Sequence, residues 1–263
     1  MGSDPKVYEF TENRDFIVFL NLLIEITIKH LRKYEMYFKE LESYTFSKLD
    51  EKTIDLICSE KFDLKANQKR LLDNIKINYW ELKSYEDKLL TPYNLLLNAF
   101  ADKTSNGVSY WRFRNEYEKK AKKDNKFNIS LTEFDENIRA IFNDMNSLRN
   151  YEHHLTDAKF IEWRKYRENQ LVNFGISKNI WPNENIEIVF YENINIRYLL
   201  STYLSSKELM GNFKLLLKYM KKDYSKLNGK RMNIRKSVEQ GTLTFKDAEI
   251  SFNGIKRHYG KLR

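Results

Sequence analysis

The stretch SLTEFDENIRAIFNDMNSLRNYEHHL, Ser130 to Leu155, decides the fold class. Its apolar residues recur at alternating steps of three and four, which places them on one face of an α-helix. They are Leu131, Phe134, Ile138, Ile141, Met145 and Leu148. Ser130 and Glu133 have the spacing of a capping box, so the helix is predicted to begin there. This stripe is of the heptad type, which packs against partner helices.

Similar patterns predict helices along most of the chain. Helical spacing from about Asn13 to Tyr44 and from about Leu64 to Leu90 indicates two long helices, and a third is predicted from about Ile194 to Lys222. Thr91 is a candidate cap, with Pro92 at the favoured first position of another helix. The first helix carries the apolar residues Phe16, Phe19, Leu20, Leu23, Thr27 and Leu31. Because 8 Gly and 3 Pro are too few for the turns of a sandwich or barrel, we predict an all-α, multi-helix bundle.

The composition limits the class of protein. With 41% hydrophobic and 14% aromatic residues, the chain can bury a substantial core. One cysteine, Cys58, permits neither an internal disulfide nor a multi-cysteine zinc site, so a reducing cytoplasm is expected. The first residues lack the apolar segment of a signal peptide. The most apolar run, Phe16 to Ile28, contains Asn21 and Glu25 and is too short to cross a bilayer, so no membrane association is expected.

The net charge of +9 is unevenly distributed. Lys207 to Arg263 contains 15 Lys and Arg against 5 Asp and Glu, whereas residues 1–206 contain 31 against 32. We predict an all-helical body over 1–229 and a basic C-terminal extension over 230–263. A basic segment of this kind fits a polyanion, with RNA as the expected partner; a merely solvated basic tail is the alternative. The candidate nucleic-acid contacts are Lys221, Lys222, Lys230, Arg231, Arg235, Lys236, Lys256 and Arg257.

A polar cluster follows the apolar stripe: Arg149, Asn150, His153 and His154. Histidine can accept and donate a proton near neutral pH, and arginine presents a planar fork that fits phosphate oxygens. Such groups can cleave RNA without a metal. The 2′-hydroxyl attacks the neighbouring phosphorus, histidine transfers protons, and arginine stabilises the charge that grows on the phosphoryl oxygens.

The segment LRNYEHH resembles the R-N-x-x-x-H motif of HEPN ribonucleases, with Arg149, Asn150 and His154 in the motif positions. Its place at the end of a long amphipathic helix is also similar. The resemblance implies a HEPN-type helical bundle, a homodimer with a composite active site, and metal-independent endoribonuclease activity. Arg149 and His154 would be the principal catalytic pair and Asn150 the supporting group. Phage defence by abortive infection, or a toxin–antitoxin system with an antitoxin or regulatory partner, is the implied setting.

Other interpretations remain open at this point. Arg149 and Glu152 have the spacing of an ordinary surface ion pair, and histidines in a last helical turn complement the helix dipole. The protein would then be a non-catalytic helical nucleic-acid-binding or scaffold protein. The stretch YWRFRNEYEKK, from Tyr110, is either a single-strand-binding surface or a core face formed by Tyr110, Phe113 and Tyr117. Because H-E-x-x-H, P-loop and G-x-G-x-x-G patterns are absent, neither a metal nor a cofactor is expected.

The spacing of the two histidines poses a geometric problem. On a straight helix, position 153 shares a face with Arg149, whereas position 154 lies about 140° away. The family motif nevertheless selects His154. We therefore predict a distorted or ending helix between Asn150 and His153, which would turn His154 back toward Arg149.

Overall fold

The computed structural model describes residues 8–50, 53–54, 72, 74–104, 107–153 and 192–232, with the backbone alone for 151–153. These residues form five long helices and a two-stranded sheet, so the prediction of an all-α bundle is confirmed. In chain order the elements are α1 (Asn13–Lys48), β1 (Lys76–Asn78), α2 (Tyr79–Ala101), α3 (Tyr110–Ala121), α4 (Glu136–His153), β2 (Asn193–Asn195) and α5 (Ile196–Asn228).

Helix α1 lies at the centre of the bundle. It packs most extensively against α5 and α2, and α4 packs against α2. The six residues of its predicted stripe, from Phe16 to Leu31, are all buried, and the same face continues through Tyr34, Phe38 and Leu41. Tyr34 and Phe38 contact Phe213 and Tyr203 of α5, with ring centroids 5.7 and 5.5 Å apart. Aromatic side chains therefore supply much of the core.

The chain enters α2 through a short strand, where the sequence predicted a helix from Leu64. β1 pairs antiparallel with β2, with Ile77 opposite Ile194. Asn78 then caps α2, because its side chain accepts a hydrogen bond from the backbone N–H of Glu81 at 2.9 Å. The predicted helix was wrong over Lys76–Asn78, where pairing with a distant strand outweighs local propensity.

Helix α2 passes through Pro92 without a break, so the predicted restart at Thr91 was wrong. Proline inside a helix removes one backbone hydrogen bond and costs about 3 kcal/mol. Pro92 is buried with Leu89 and Leu96 on the face that packs into the bundle. Burial of a large aliphatic side chain contributes about 1.5–3 kcal/mol, so that face compensates for the proline.

Helix α4 begins later than the capping box predicted. Its first turn is capped by Asp135, whose carboxylate accepts from the backbone N–H of Ile138 at 2.8 Å. Upstream, the N–H of Thr132 donates to Asp223 at 2.7 Å, and its carbonyl accepts from Arg114 at 2.8 Å. These two contacts hold the segment outside the helix, although Leu131 is still buried. The local cap signal at Ser130 is therefore overridden by tertiary contacts.

Helix α5 is longer than predicted, and α3 has the core face that was one of its two interpretations. Helix α5 continues past the predicted end at Lys222 to Asn228. Its C-cap is Gly229, whose φ of 65° lies in the left-handed region that glycine tolerates. In α3, Tyr110, Phe113 and Tyr117 are buried, so these three form a core face. The chain divides into two compact units, Met1–Arg231 and Met232–Arg263. The predicted boundary after residue 229 stays a prediction.

No helix within the described ranges has both the length and the apolar character needed to cross a membrane.

Candidate functional site

Helix α4 carries Arg149 on its buried face. Ile138, Phe142 and Met145 are buried at helical spacing, and Arg149 takes the next position of the same stripe. This face packs against α2. The side chain of Arg149 is therefore directed toward α2, and only 17% of it is exposed.

Three oxygen atoms hold the guanidinium of Arg149. Its Nε donates to Oδ1 of Asn98 at 2.9 Å, and its Nη1 donates to Oδ1 of Asn150 at 3.4 Å. Its Nη2 lies 3.1 Å from Oδ1 of Asp102 in an ion pair. Arginine has five N–H donors, and the described residues account for three of them. These contacts fix the orientation of the guanidinium.

The partners of Arg149 lie at the end of α2. Asp102 is the C-cap residue, and its N–H donates to the carbonyl of Asn98 at 3.3 Å. The Asp102 carboxylate also accepts from the N–H and the hydroxyl of Thr104, at 2.9 and 2.8 Å. A carboxylate at a helix C-terminus is unfavourable beside the negative end of the dipole, and the cation of Arg149 offsets this. Arg149 therefore also stabilises the packing of α4 on α2.

Sequence reasoning missed Asn98 and Asp102. They stand about fifty residues before the motif, and neither belongs to a recognisable pattern there. The described carboxylate beside Arg149 is that of Asp102. The side chain of Glu152 lies outside the described residues, so the alternative of a surface pair with Glu152 stays a prediction. An arginine on the buried face of an amphipathic helix was the available signal for a buried partner.

The two histidines are only partly described. Helix α4 remains α-helical through His153, so the predicted interruption between Asn150 and His153 was wrong for this stretch. Regular helical spacing places position 153 one turn after Arg149. His154 lies outside the described residues, and its role stays a prediction. Asn150 is exposed on α4, beside the guanidinium of Arg149.

Four of the eight predicted nucleic-acid contacts lie in the described part of the chain. Lys222, Lys230 and Arg231 are exposed, and Lys221 is half-buried. The Lys222 ammonium lies 5.0 Å from the ring centroid of Tyr219. The other four lie outside the described residues: Arg235, Lys236, Lys256 and Arg257.

Helix α5 extends this basic surface toward its middle, which the sequence prediction did not include. Lys214, Lys218, Lys222 and Lys226 are exposed and follow one another at intervals of four residues, continuing to Lys230. Lys214 pairs with Glu35 at 2.8 Å. The basic ridge is defined here as Lys218, Lys222, Lys226 and Lys230. Over these turns the described acidic residue is Asp223, which is buried, so the exposed side of the helix is cationic.

Among the described residues, no group of three or more His, Cys, Asp or Glu side chains lies close enough together to hold a metal ion. His30, on α1, is a single half-buried histidine. Burial and the nearby charges of Lys33 and Lys29 lower its pKa.

Comparison with known proteins gives no relative. The chain matches no protein-family model, no curated protein and no solved structure at a significant level.

Proposed function

We propose that the protein is a metal-independent endoribonuclease of the HEPN type, acting as a cytoplasmic homodimer in phage defence or a toxin–antitoxin system. The observation that carries the proposal is the guanidinium of Arg149, which is fixed by Asn98 and Asp102 and touches Asn150 within the motif. A phosphate-stabilising arginine needs a fixed orientation, because preorganised donors are not reorganised during the reaction.

In the proposed reaction the 2′-oxygen of a ribose forms a bond to the adjacent phosphorus, and the bond from phosphorus to the 5′-oxygen breaks. A histidine accepts the 2′-hydroxyl proton, and the leaving 5′-oxygen gains a proton. The products are a 2′,3′-cyclic phosphate and a 5′-hydroxyl. His154 is assigned the proton transfer, Arg149 the phosphoryl oxygens, and Asn150 the support of either group.

The ion pair between Arg149 and Asp102 also favours a second candidate, a non-catalytic helical RNA-binding or scaffold protein. In that protein Arg149 would serve only to hold α4 on the end of α2. A partly buried pair of this kind is destabilised when one partner is removed, because the other charge is left without compensation. Both candidates therefore predict that Arg149→Ala is less stable, and stability alone does not separate them.

Cleavage in EDTA separates the two candidates. Purified protein is incubated with total RNA and with tRNA in EDTA, and the 5′-hydroxyl and cyclic-phosphate ends of the products are identified. Arg149→Ala should reduce cleavage at least about 100-fold, and His154→Ala by about 10² to 10⁴. His30→Ala, the histidine control, should cleave as the wild type does.

Asp102→Asn is the control for the structural contribution of Arg149. It keeps an oxygen acceptor for the guanidinium but removes the ion pair, so it should lose stability in urea and retain cleavage. Equal activity in Arg149→Ala, His154→Ala and the wild type would remove the motif from the reaction. Absence of cleavage by the wild type, with RNA binding intact, would favour the second candidate.

A further inference from the structure

A cavity of about 620 Å³ lies between α3 and α4. Small-molecule sites commonly have volumes of about 300–1,000 Å³, so a nucleoside would fit within this one. The residues that α3 contributes to it come from the second side of the stretch that begins at Tyr110. Tyr110, Phe113 and Tyr117 of that stretch face the core, whereas Trp111 and Arg114 line the cavity.

Aromatic side chains form much of the cavity wall. Trp111 and Phe134 are half-buried, and Phe142 is buried. The guanidinium of Arg114 lies 3.7 Å from the ring centroid of Phe134, so one face of that ring is already covered. The indole of Trp111 is the largest half-exposed ring of the wall. Aromatic side chains of this kind stack on unpaired nucleobases.

Both hydrogen-bond donors and hydrogen-bond acceptors surround these rings. Asn115 and Asn143 provide amides, and Glu118 and Glu133 provide carboxylates that accept hydrogen bonds. Arg139 is exposed, and its guanidinium suits a phosphate. This combination matches a nucleobase, which offers donors and acceptors along its edges and carries a phosphate nearby. Two carboxylates make the cavity unsuitable for a free, multiply charged anion.

The cavity and the motif lie along the same side of α4. Arg139 precedes Asn150 by eleven residues, which corresponds to about 16 Å along the axis and a rotation of only about 20°. Two adjacent residues between α2 and α3 contact both places, one at the motif and the other at the cavity. Asp102 pairs with Arg149, and Lys103 lies over Trp111 with its ammonium 5.6 Å from the ring centroid. A few nucleotides of extended strand would span this distance.

We propose that this cavity binds one unpaired base of a single-stranded RNA whose scissile phosphate lies at Arg149 and Asn150. The inference rests on the proposed function, which makes RNA the ligand and assigns the scissile phosphate to the motif on α4. A base within a double helix is stacked and paired, so the cavity selects single strands or loops. Bases with an exocyclic amino group should bind more tightly than uracil, because Glu118 and Glu133 accept hydrogen bonds.

The test measures binding by full-length protein that carries His154→Ala, the variant for which the proposed function expects cleavage to be about 10² to 10⁴ times slower. Fluorescein-labelled RNA hexamers of A, C and U are titrated in EDTA and followed by anisotropy. Trp111→Ala should weaken binding of the A and C hexamers by about tenfold or more, and Trp111→Phe should restore most of the loss. Arg139→Ala, at an exposed position that does not threaten the fold, should weaken binding by about fivefold. The U hexamer should bind less tightly than the others.

Trp80→Ala and Arg32→Ala are the matched controls, since both side chains are exposed and neither lines the cavity. They should bind as the parent protein does. Equal affinity of the parent, Trp111→Ala and Arg139→Ala for every hexamer would overturn the base site, even if the wild type cleaves RNA. If Trp111→Ala and Arg139→Ala bind the hexamers more weakly but the wild type does not cleave RNA, the base site is supported and the proposed ribonuclease is overturned. Absence of hexamer binding by the parent would overturn the base site.

Discussion

Asp223 on α5 accepts hydrogen bonds from three donors, two on α3 and one in the segment before α4. Its carboxylate is fully buried and accepts from the hydroxyl of Tyr110 at 2.6 Å, from Arg114 at 3.1 Å and from the N–H of Thr132 at 2.7 Å. Burial is the main reason that the pKa of Tyr110 is raised well above its ordinary value, and the charge of Asp223 adds to it. One side chain thus connects α3, α5 and the segment before α4.

Asp223→Ala should be among the most destabilising single changes in the described part of the chain. It leaves the guanidinium of Arg114 and two further donors without their acceptor, and breaking a buried ion pair costs about 3–5 kcal/mol. Asp223→Asn keeps an acceptor oxygen and should cost less. The free energy of unfolding in urea measures both. Asp144→Ala, which removes an exposed carboxylate from α4, should stay within about 0.5 kcal/mol of the wild type. A similar small loss in Asp223→Ala would contradict this account of the network.

Sequence periodicity predicted residues that face the core much better than it predicted where elements begin. The stripes of α1 and α4 depend on a local repeat, and burial reproduced them from Phe16 to Leu31 and from Ile138 to Met145. The beginning of α4 depends on a distant contact, because the N–H of Thr132 donates to Asp223, which lies ninety-one residues later in the chain. The partner of Arg149 is similarly remote. A local sequence pattern carries no information about such distant contacts, so the helix start predicted from the capping box was wrong and the partners of Arg149 were missed.

The N-terminus of α1 offers an electrostatic test of a helix cap. The carboxylate of Asp15 accepts from the hydroxyl and the N–H of Thr11, at 2.6 and 2.7 Å, and from the N–H of Glu12 at 2.9 Å. The hydrogen bond from the Thr11 side chain is the main cause of the lowered pKa of Asp15, and the two backbone donors add to it. This carboxylate is charged when it stabilises the helix end.

Asp15→Ala should therefore lower the melting temperature at pH 7. Because the pKa is lower in the folded than in the unfolded protein, the stabilisation is present above the unfolded pKa of about 4 and is lost as the pH falls through the folded pKa. The difference between wild type and variant should shrink in acid. Glu25→Ala, which removes an exposed carboxylate paired with Lys29, is the control for the same helix. A difference that stays constant down to pH 2 would show that the Asp15 charge does not matter.

The apolar stripe of α4 is used within one chain and leaves little surface for a partner. Ile138, Ile141 and Met145 are buried, so this stripe offers little apolar surface to a second chain. A different apolar surface is exposed on α1, where Val18, Leu22 and Ile26 are 42%, 53% and 42% accessible at intervals of four residues. Exposed apolar stripes of this kind are typical of protein interfaces.

The proposed composite site requires two chains, so the protein should have about twice the 31.8 kDa monomer mass by light scattering at micromolar concentration. Leu22→Glu should produce monomers if the α1 stripe is the dimer surface, while Lys29→Glu, on the same helix, should not. A dimer that survives Leu22→Glu would place the interface elsewhere. A wild-type monomer would contradict the shared active site.

The basic ridge on α5 should contribute to RNA affinity through release of counterions. Each phosphate contact on a single strand contributes about −0.7 to the slope of log affinity against log salt concentration. Replacing Lys218, Lys222 and Lys226 together by alanine should therefore reduce the magnitude of that slope by about 2. The measurement is anisotropy of a labelled single-stranded RNA at several salt concentrations, with EDTA present.

A matched variant separates the ridge from net charge alone. Three exposed lysines of α1 provide the same change of charge on another helix, and they are Lys29, Lys33 and Lys39. Their replacement by alanine should leave the slope nearly unchanged, because counterions are released only where phosphates lie against the surface. An equal reduction of the salt slope in the two triple variants would mean that RNA affinity depends on the overall charge of the protein. An unchanged slope in the α5 variant would move the contacts to other basic residues, with Arg235, Lys236, Lys256 and Arg257 of the predicted extension as the next set to replace.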